Sequence, residues 1–594
     1  MDYRDNSKAA RRRRRKRKRF LQAFIPVAVA LILIVVVVIV GLKTGLFDSF
    51  FYSSVKADLK GHFLTTDENH ASLVADGEVT NDKLPVKDGV CYLPLDKVKS
   101  EYDDRYYYDE RGNALLYTTA EGTQTAVIGD NYYTLNGAGV QTGYTICFKE
   151  GDKINVALDY VKMHVNLGYN LYGGSGEPYR VEVKTTWGTK MLSQVAVDES
   201  AVRNGADKKA EILRNVKKGV ILTILSSENE EWMKVQTEDL ITGYIEKKHL
   251  AEKYEEPEVP VNDAKEVVVP SLASGENIVL AWHNVTGEGS AQNLADYSGR
   301  LADMNVISPT WFYLDNNDGT VKSIGDPEYV NAAHAAGVKV WGLVENMTNS
   351  EVSTYEVLID TAKRSYLISQ LISYATSLGL DGINVDFESV SVETGEAFIQ
   401  FIRELVVEAH KNNLVVSVDN YVPRESTAHY NRKEQGVFAD YVIIMGYDEH
   451  YSGSEEAGSV ASLPFVMDGI NQTVAEVPSN KVINAVPFYT RLWLEKPSGD
   501  GVELSVQTLP MDQGAQAVSA AGAQAQWNEE AGQYYAEWES DGGTSKIWLE
   551  DGESIKAKMD VMKASNLAGV AVWQLAFSTD DAWNAIKEAY PVVK

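Results

Sequence analysis

Cysteine is almost absent: Cys91 and Cys147 are the only two in 594 residues. Two cysteines are no metal site by themselves. An exported chain can oxidise them to one disulfide, and two separate buried thiols are the alternative. No His/Cys cluster with metal-ligand spacing occurs, so neither a metal nor a cofactor is expected. Cations are scarce too, with 56 Lys and Arg against 84 Asp and Glu and a formal net charge of −28. Nine of those cations stand consecutively at Arg11–Arg19, so the rest of the chain is more acidic than the total implies. Phosphate binding needs clustered cations, and an acidic body argues against nucleic acid as a partner. No Gly-rich phosphate loop follows any candidate strand, which weakens the case for a doubly wound nucleotide-binding sheet.

What is present begins with Phe20–Leu42, an uncharged stretch of 23 residues. At ~1.5 Å rise per residue it reaches across a ~30 Å hydrocarbon core. It is longer than the apolar region of a signal peptide, and no clear small-x-small cleavage site follows it. The basic run before it predicts a cytoplasmic N-terminus and an extracellular remainder, a single-pass anchor in the cytoplasmic membrane. A cleaved signal peptide is the competing reading.

Apolar content of 44 % and charged content of 24 % describe globular material, too long for one core. The composition divides it into a basic tail (1–19), the transmembrane anchor (20–42), a β-rich stalk domain (43–190), a small β-barrel (191–253), a linker (254–276) and a C-terminal domain (277–594). The stalk carries turn signals at "DERGN" and "LNGAG". In the next segment "VRNGADKKAEILRNVKKG", "EWMKVQT" and "TGYIEKKHL" resemble a bacterial Src-homology-3-like domain. That resemblance implies binding of cell-wall peptides, with a passive spacer as the alternative. Proline and charge mark 254–276 as extended.

The C-terminal domain alternates short apolar runs with amphipathic helical patterns. The runs begin at Asn277, Val306, Val338, Gly382, Leu414, Tyr441, Lys481 and Gly569. Eight such βα units in roughly 320 residues predict an α/β fold, a (β/α)8 TIM barrel. The long gap between the seventh and eighth runs holds "QYYAEWESDGGTSKIWLED", which reads as a hairpin in a small α+β insertion.

The fourth run, "DGINVDFE", carries the chemistry. Side chains alternate across a strand, so Ile383, Val385 and Phe387 share one face and Asn384, Asp386 and Glu388 the other. In a barrel the polar row points inward and climbs to the C-terminal rim, where active sites of this fold sit. Two buried acids are costly unless paired, and no basic residue in the strand pairs them. Desolvation and like charge raise the pKa of at least one, which suits a general acid.

"DGINVDFE" resembles the Asp-Gly-x-x-x-Asp-x-Glu signature of glycoside hydrolase family 18, the chitinase-like family. "MGYD" (Met445–Asp448), "VPFYTRLW" (Val486–Trp493) and "GVAVWQLAF" with Trp573 are similar to its sixth-, seventh- and eighth-strand motifs. The resemblance implies substrate-assisted, retaining hydrolysis of N-acetylated glycans. In that reading Glu388 is acid and then base, Asp386 holds the acetamido N–H, and Tyr447 binds the acetamido oxygen. Asp448 and Met445 then help to seat the sugar, Trp573 lies under its ring, and Tyr489 belongs to the same lining. Asn384 stands where chitinases of the family carry Asp, so it cannot exchange a proton with Asp386. The Asn form looks more like bacterial cell-wall and spore-cortex-lytic N-acetylglucosaminidases. Further candidates for substrate contact are Trp311, Glu345 and Arg491, with Asp419, Asn420 and Tyr421 after the fifth strand. The expected partner is an N-acetylglucosamine-containing polysaccharide, peptidoglycan or chitin-like. A true chitinase or a non-catalytic glycan-binding protein is the rival reading.

Overall fold

The computed structural model describes residues 5–43, 52–65, 67–261, 264, 266–499 and 501–592. Positions 1–4 of the basic tail, 44–51 and 66 of the expected stalk, 262, 263 and 265 of the linker, and 500, 593 and 594 of the C-terminal domain lie outside the described residues. Helix α1 (Asp5–Lys43) contains both the basic and the apolar run. Its Arg12–Val40 part is long and apolar enough to cross a membrane, by length and composition.

The chain divides into two compact units, Met1–Pro94 with Ala157–Lys265 and Leu95–Val156 with Glu266–Lys594. In the first, five strands are ordered Gly168–Gly174, Glu177–Lys184, His70–Ala75, Glu78–Lys87 and Val90–Pro94. A second sheet of seven strands encloses Val202, Leu222, Val235 and Ile245. Its last strand, Tyr254–Pro257, pairs antiparallel with Thr189–Leu192. The segment expected as an extended linker therefore begins as a sheet edge.

The second unit is built on eight parallel strands: β1 (Ile278–His283), β2 (Val306–Leu314), β3 (Lys339–Glu345), β4 (Gly382–Asp386), β5 (Val415–Tyr421), β6 (Tyr441–Met445), β7 (Val482–Pro487) and β8 (Gly569–Trp573). Each pairs with its sequence neighbours, and β1 pairs with both β2 and β8, which closes a TIM barrel. The strands are short apolar runs because both their faces are covered. Leu280, Trp282, Trp341, Leu343, Tyr441 and Ile443 fill the interior. Ile383, Val385, Val416, Val418, Val442 and Ile444 pack outward on the helices.

Those helices include α2 (Pro327–Ala335), α3 (Thr361–Leu378), α4 (Gly395–Lys411), α5 (Arg432–Phe438), α6 (Leu463–Val474), α7 (Met511–Ala520), α8 (Gly552–Ala564) and α9 (Asp580–Ala589). Helix α3 starts where the Asp360 carboxylate accepts the Ala362 and Lys363 N–H groups. It stops at Gly379, whose φ of 74° is left-handed. Between β7 and β8 lie α7 and a five-stranded antiparallel sheet, including the hairpin Gln533–Ser540 with Gly543–Leu549. This is the α+β insertion that the long gap predicted.

Leu95–Val156 groups with the barrel, so the stretch 43–190 is divided between the units rather than forming one stalk. The physical reason lies in α4. Its Phe401 stacks on Phe387 after β4 (centroids 5.4 Å), while Gln400 donates to Thr118 (2.9 Å) in a five-stranded sheet spanning Tyr107–Gln141. Arg403 and Arg105 share the Glu434 carboxylate, each at 2.8 Å. Both faces of α4 are thus buried, and the polar Gln400, Arg403 and Glu404 on it are buried with hydrogen-bond partners.

Candidate active site

The inward row of β4 begins with Asn384, completely buried and bonded on every side. Its Oδ1 accepts from Trp282 Nε1 (2.8 Å) and Ser308 Oγ (3.1 Å). Its Nδ2 donates to Ser417 Oγ (3.0 Å) and Asp419 Oδ1 (2.9 Å). Trp282 can only donate, so the amide orientation is fixed. Asn384 ties β1, β2, β4 and β5 together beneath the rim.

Asp386 ends β4, opposite Glu345 at the end of β3. Its Oδ1 is inaccessible and has no hydrogen-bond partner among the described residues. Burial, with Glu388 and Glu345 nearby, holds its carboxyl well above the usual range. Glu388 lies just past the strand and is partly buried. Burial raises its pKa, the Tyr421 hydroxyl opposes this, and Asp448 and Glu345 add to the rise. Tyr421 OH donates to Glu388 Oε2 at 2.7 Å. The Glu388 backbone is bracketed by Asn346, which accepts its N–H and donates to its carbonyl, each at 2.9 Å. Tyr430 OH donates to the Phe387 carbonyl (3.2 Å) and accepts the Val390 N–H (3.2 Å). A carboxyl with a raised pKa is therefore presented at the rim on a hydrogen-bonded turn.

Tyr447 follows β6 and meets the Tyr489 ring edge-on, centroids 6.2 Å apart. Burial and the surrounding acids push its phenol well up, so it stays a neutral donor. Trp573 ends β8, half-buried, its ring 6.1 Å from Trp282. Acid, second carboxyl, phenol and indole thus come from three strand ends at one mouth. Among the described residues no group of three or more His, Cys, Asp or Glu is arranged to hold a metal ion.

Residues 241–578 match the family model "Glycosyl hydrolases family 18", more than half of the chain. The chain belongs to glycosyl hydrolases family 18. Residues 198–251 match "Bacterial SH3 domain". The family 18 chain is 24 % identical over 340 residues to the putative sporulation-specific glycosylase YdhD of Bacillus subtilis (strain 168), covering 53 % of this chain and 76 % of that protein. It is 25 % identical over 259 residues to the cortical fragment-lytic enzyme of the same organism, covering 42 % of this chain and 59 % of that protein's length. Among solved structures it is similar to the Bacillus cereus spore cortex-lytic enzyme SleL, with a TM-score of 0.49 and 19 % identity over 54 % of this chain and 75 % of that one.

Within this family 18 barrel, several expected contacts fall elsewhere. Trp311 is fully buried and packs on Tyr329 of α2 (centroids 5.0 Å). Ser308 and Thr310 take the inward positions of β2, so alternation sets Trp311 in the outer core, not the groove, and the bulge after Thr310 adds Phe312 to the same side. Asn420 is also fully buried and faces outward, exchanging hydrogen bonds with Gln435 of α5 at 2.7 and 3.0 Å. Its neighbours Asp419 and Tyr421 take the inward positions. Tyr489 and Arg491 both donate to Asp448 Oδ1, each at 2.6 Å, so they hold that acid in place. Glu345 accepts the N–H groups of Met347 and, at 2.9 Å, Thr348. Met445 shares the inward parity of Tyr441 and Ile443 and is the last of that row. Sequence reasoning missed Asn346 and Tyr430, which act on backbone; no pattern in the sequence marks them.

Proposed function

We propose that the chain is a membrane-anchored, extracytoplasmic glycosidase that cleaves β-1,4-linked N-acetylglucosamine glycans, peptidoglycan in particular, by substrate-assisted retaining catalysis. The observation that carries this reading is the inward row on β4, ending in a raised-pKa Glu388 aligned by Tyr421 with Asp386 one step beneath. In the proposed reaction the substrate's 2-acetamido oxygen attacks the anomeric carbon. Glu388 gives its proton to the leaving glycosidic oxygen and then, as carboxylate, takes one from the attacking water. Asp386 accepts a hydrogen bond from the acetamido N–H. Tyr447 donates to the acetamido oxygen, and Trp573 supplies an apolar floor. Peptidoglycan is favoured because the relatives include a protein named a cortical fragment-lytic enzyme. The anchor reading is supported by the basic run preceding the apolar helix. In this reading the bacterial SH3-like domain holds the enzyme against wall peptides.

The test is turnover of peptidoglycan and, separately, of N-acetylglucosamine oligomers by the protein and its Glu388→Gln variant, with products identified by mass spectrometry. Fragments ending in reducing N-acetylglucosamine are expected from peptidoglycan. The variant should lose at least ~10²-fold in rate while still binding glycan. Equal rates for variant and parent would sink the hydrolase reading.

A further inference from the structure

We propose that Asp419 is the proton partner of Asp386: the two carboxyls share one proton between Asp386 Oδ1 and Asp419 Oδ2. The proposal rests on the hydrolase reading of Glu388 and deepens it. The pairing of β4 with β5 sets Asn384 beside Ser417 and Val385 beside Val418. Continued by one residue, that register sets Asp386 beside Asp419, on strands ~4.8 Å apart. Both side chains point inward, because Asn384 on the same face reaches Ser417 and Asp419 directly. Asp419 is 2 % exposed. Its Oδ1 is held by the Asn384 amide, while its Oδ2 is inaccessible and without a hydrogen-bond partner, as is Asp386 Oδ1.

Two unpartnered carboxylate oxygens at neighbouring inward positions cannot both stay charged in a dry interior. Among the described residues neither carboxyl has a cationic partner. The groups around the pair are Glu345 from β3, Glu388 beyond β4, Tyr421 from β5 with Tyr430 beyond it, Tyr447 and Asp448 beyond β6, and Tyr489 beyond β7. All are acidic or neutral, and the Arg491 guanidinium is committed to Asp448. Burial pushes both aspartates well up, with Glu388 and Glu345 adding to the rise of Asp386 and Asp386 adding to that of Asp419, in keeping with one proton on the pair. Pairs of carboxyls that share a proton in this way are known elsewhere.

The shared proton gives the pair a task. As positive charge grows on the acetamido group and the anomeric carbon, the proton moves from Asp386 to Asp419 Oδ2. Asp386 is then a full carboxylate facing the cation, and Asp419 is neutral. When water opens the intermediate the proton returns. The pair carries a single negative charge throughout, and no proton is gained or lost by it. Asp419 is thus a positioning residue that acts through Asp386, and it supplies from β5 the exchange that Asn384 cannot.

The experiment uses Asp419→Asn, which keeps the acceptor for Asn384 and offers Asp386 an N–H. A neutral-carboxyl C=O band is sought by infrared difference spectroscopy at neutral pH, in the Glu388→Gln background so that Glu388 cannot contribute. The band should be present in that background and absent when Asp419→Asn is added. In the otherwise native enzyme Asp419→Asn should lower kcat by about 10²-fold with KM within about threefold. The alkaline limb of kcat/KM, which records loss of both the Glu388 proton and the shared one, should become a one-proton limb. Restoring an acid on β4 with Asn384→Asp plus Asp419→Asn should return the band. A band unchanged by Asp419→Asn, or an unchanged kcat and pH profile beside an inactive Glu388→Gln, overturns the proposal and leaves the hydrolase reading intact. A parent with no glycosidase activity overturns both.

Discussion

Removing the Tyr421 hydroxyl should move the pH profile of the enzyme in a direction that the site fixes in advance. Tyr421 OH donates to Glu388 Oε2 at 2.7 Å. A hydrogen bond to the charged form of an acid lowers its pKa, against the burial that raises it. Such a bond is worth roughly 1.5–3 kcal/mol, and each pKa unit corresponds to about 1.4 kcal/mol. The loss therefore amounts to ~1–2 units, and the lower end applies because water can reach a half-buried carboxyl and replace part of the bond. In Tyr421→Phe the Glu388 proton is held to higher pH, so the alkaline limb of kcat/KM should shift up by about one unit. The rate at the optimum should fall about tenfold, because the carboxyl loses its alignment and is a weaker acid. Tyr421 does not titrate in the assay range, since burial and Glu388 raise its own pKa. Its second bond, accepted from the exposed Ser389 N–H at 3.2 Å, is replaceable by water, so thermal stability should barely change. The assay is hydrolysis of an N-acetylglucosamine oligomer across the neutral and alkaline range. An alkaline limb that stays in place, or moves down, would refute the assignment of that limb to a Tyr421-bonded Glu388.

Two further outcomes concern stability and thiol chemistry. Lys558 and Glu550 are both buried and paired at 2.9 and 3.0 Å, so Lys558→Met should cost about 3–5 kcal/mol in urea denaturation at neutral pH. Burial already raises Glu550 in the folded state, so its proton binds the folded form more tightly; stability of the variant should recover as pH falls, and a pH-independent loss would contradict this. Cys91 and Cys147 are free and buried, with burial pushing each thiol up to about 12. A chromogenic thiol reagent should find almost none in the native protein and both in denaturant without reductant; finding neither in denaturant would reveal a disulfide.

The barrel was legible in the sequence because its strands are apolar on both faces and its helices amphipathic. The row Asn384–Asp386–Glu388 was legible because period two holds strictly over five residues. The same rule, applied to "VVSVDNY", sets Val416, Val418 and Asn420 on the outer face and Ser417, Asp419 and Tyr421 on the inner one. Asn420 lies within β5 rather than after it, so strand parity turns it outward, away from the groove. Trp311 obeys the same rule, since Ser308 and Thr310 face inward; the bulge changes the parity only from Phe312 on, and no residue type announces it. The roles of Tyr489 and Arg491 depend on a contact with Asp448 across more than forty residues, which no local pattern encodes. The second covering of α4 was not legible, because its sequence is amphipathic and its buried polar residues Gln400, Arg403 and Glu404 find partners only in the fold.

The charge of the mouth bears on which sugar is cut. Glu345, Asp386, Glu388, Asp419 and Asp448 gather at the ends of β3 to β6, and Arg491 spends its charge on Asp448. Fixed negative charge in a partly dry cleft favours a transition state that becomes cationic at the anomeric carbon. It equally disfavours an anionic substituent on the sugar that reacts. In peptidoglycan, N-acetylmuramic acid carries a lactyl group that is a carboxylate when no peptide is attached, whereas N-acetylglucosamine is neutral. With the arginine already engaged, nothing in the mouth is free to neutralise that carboxylate among the described residues. On the proposed peptidoglycan reading, this charge favours N-acetylglucosamine on the non-reducing side of the cleaved bond, the position a glucosaminidase needs and a muramidase does not.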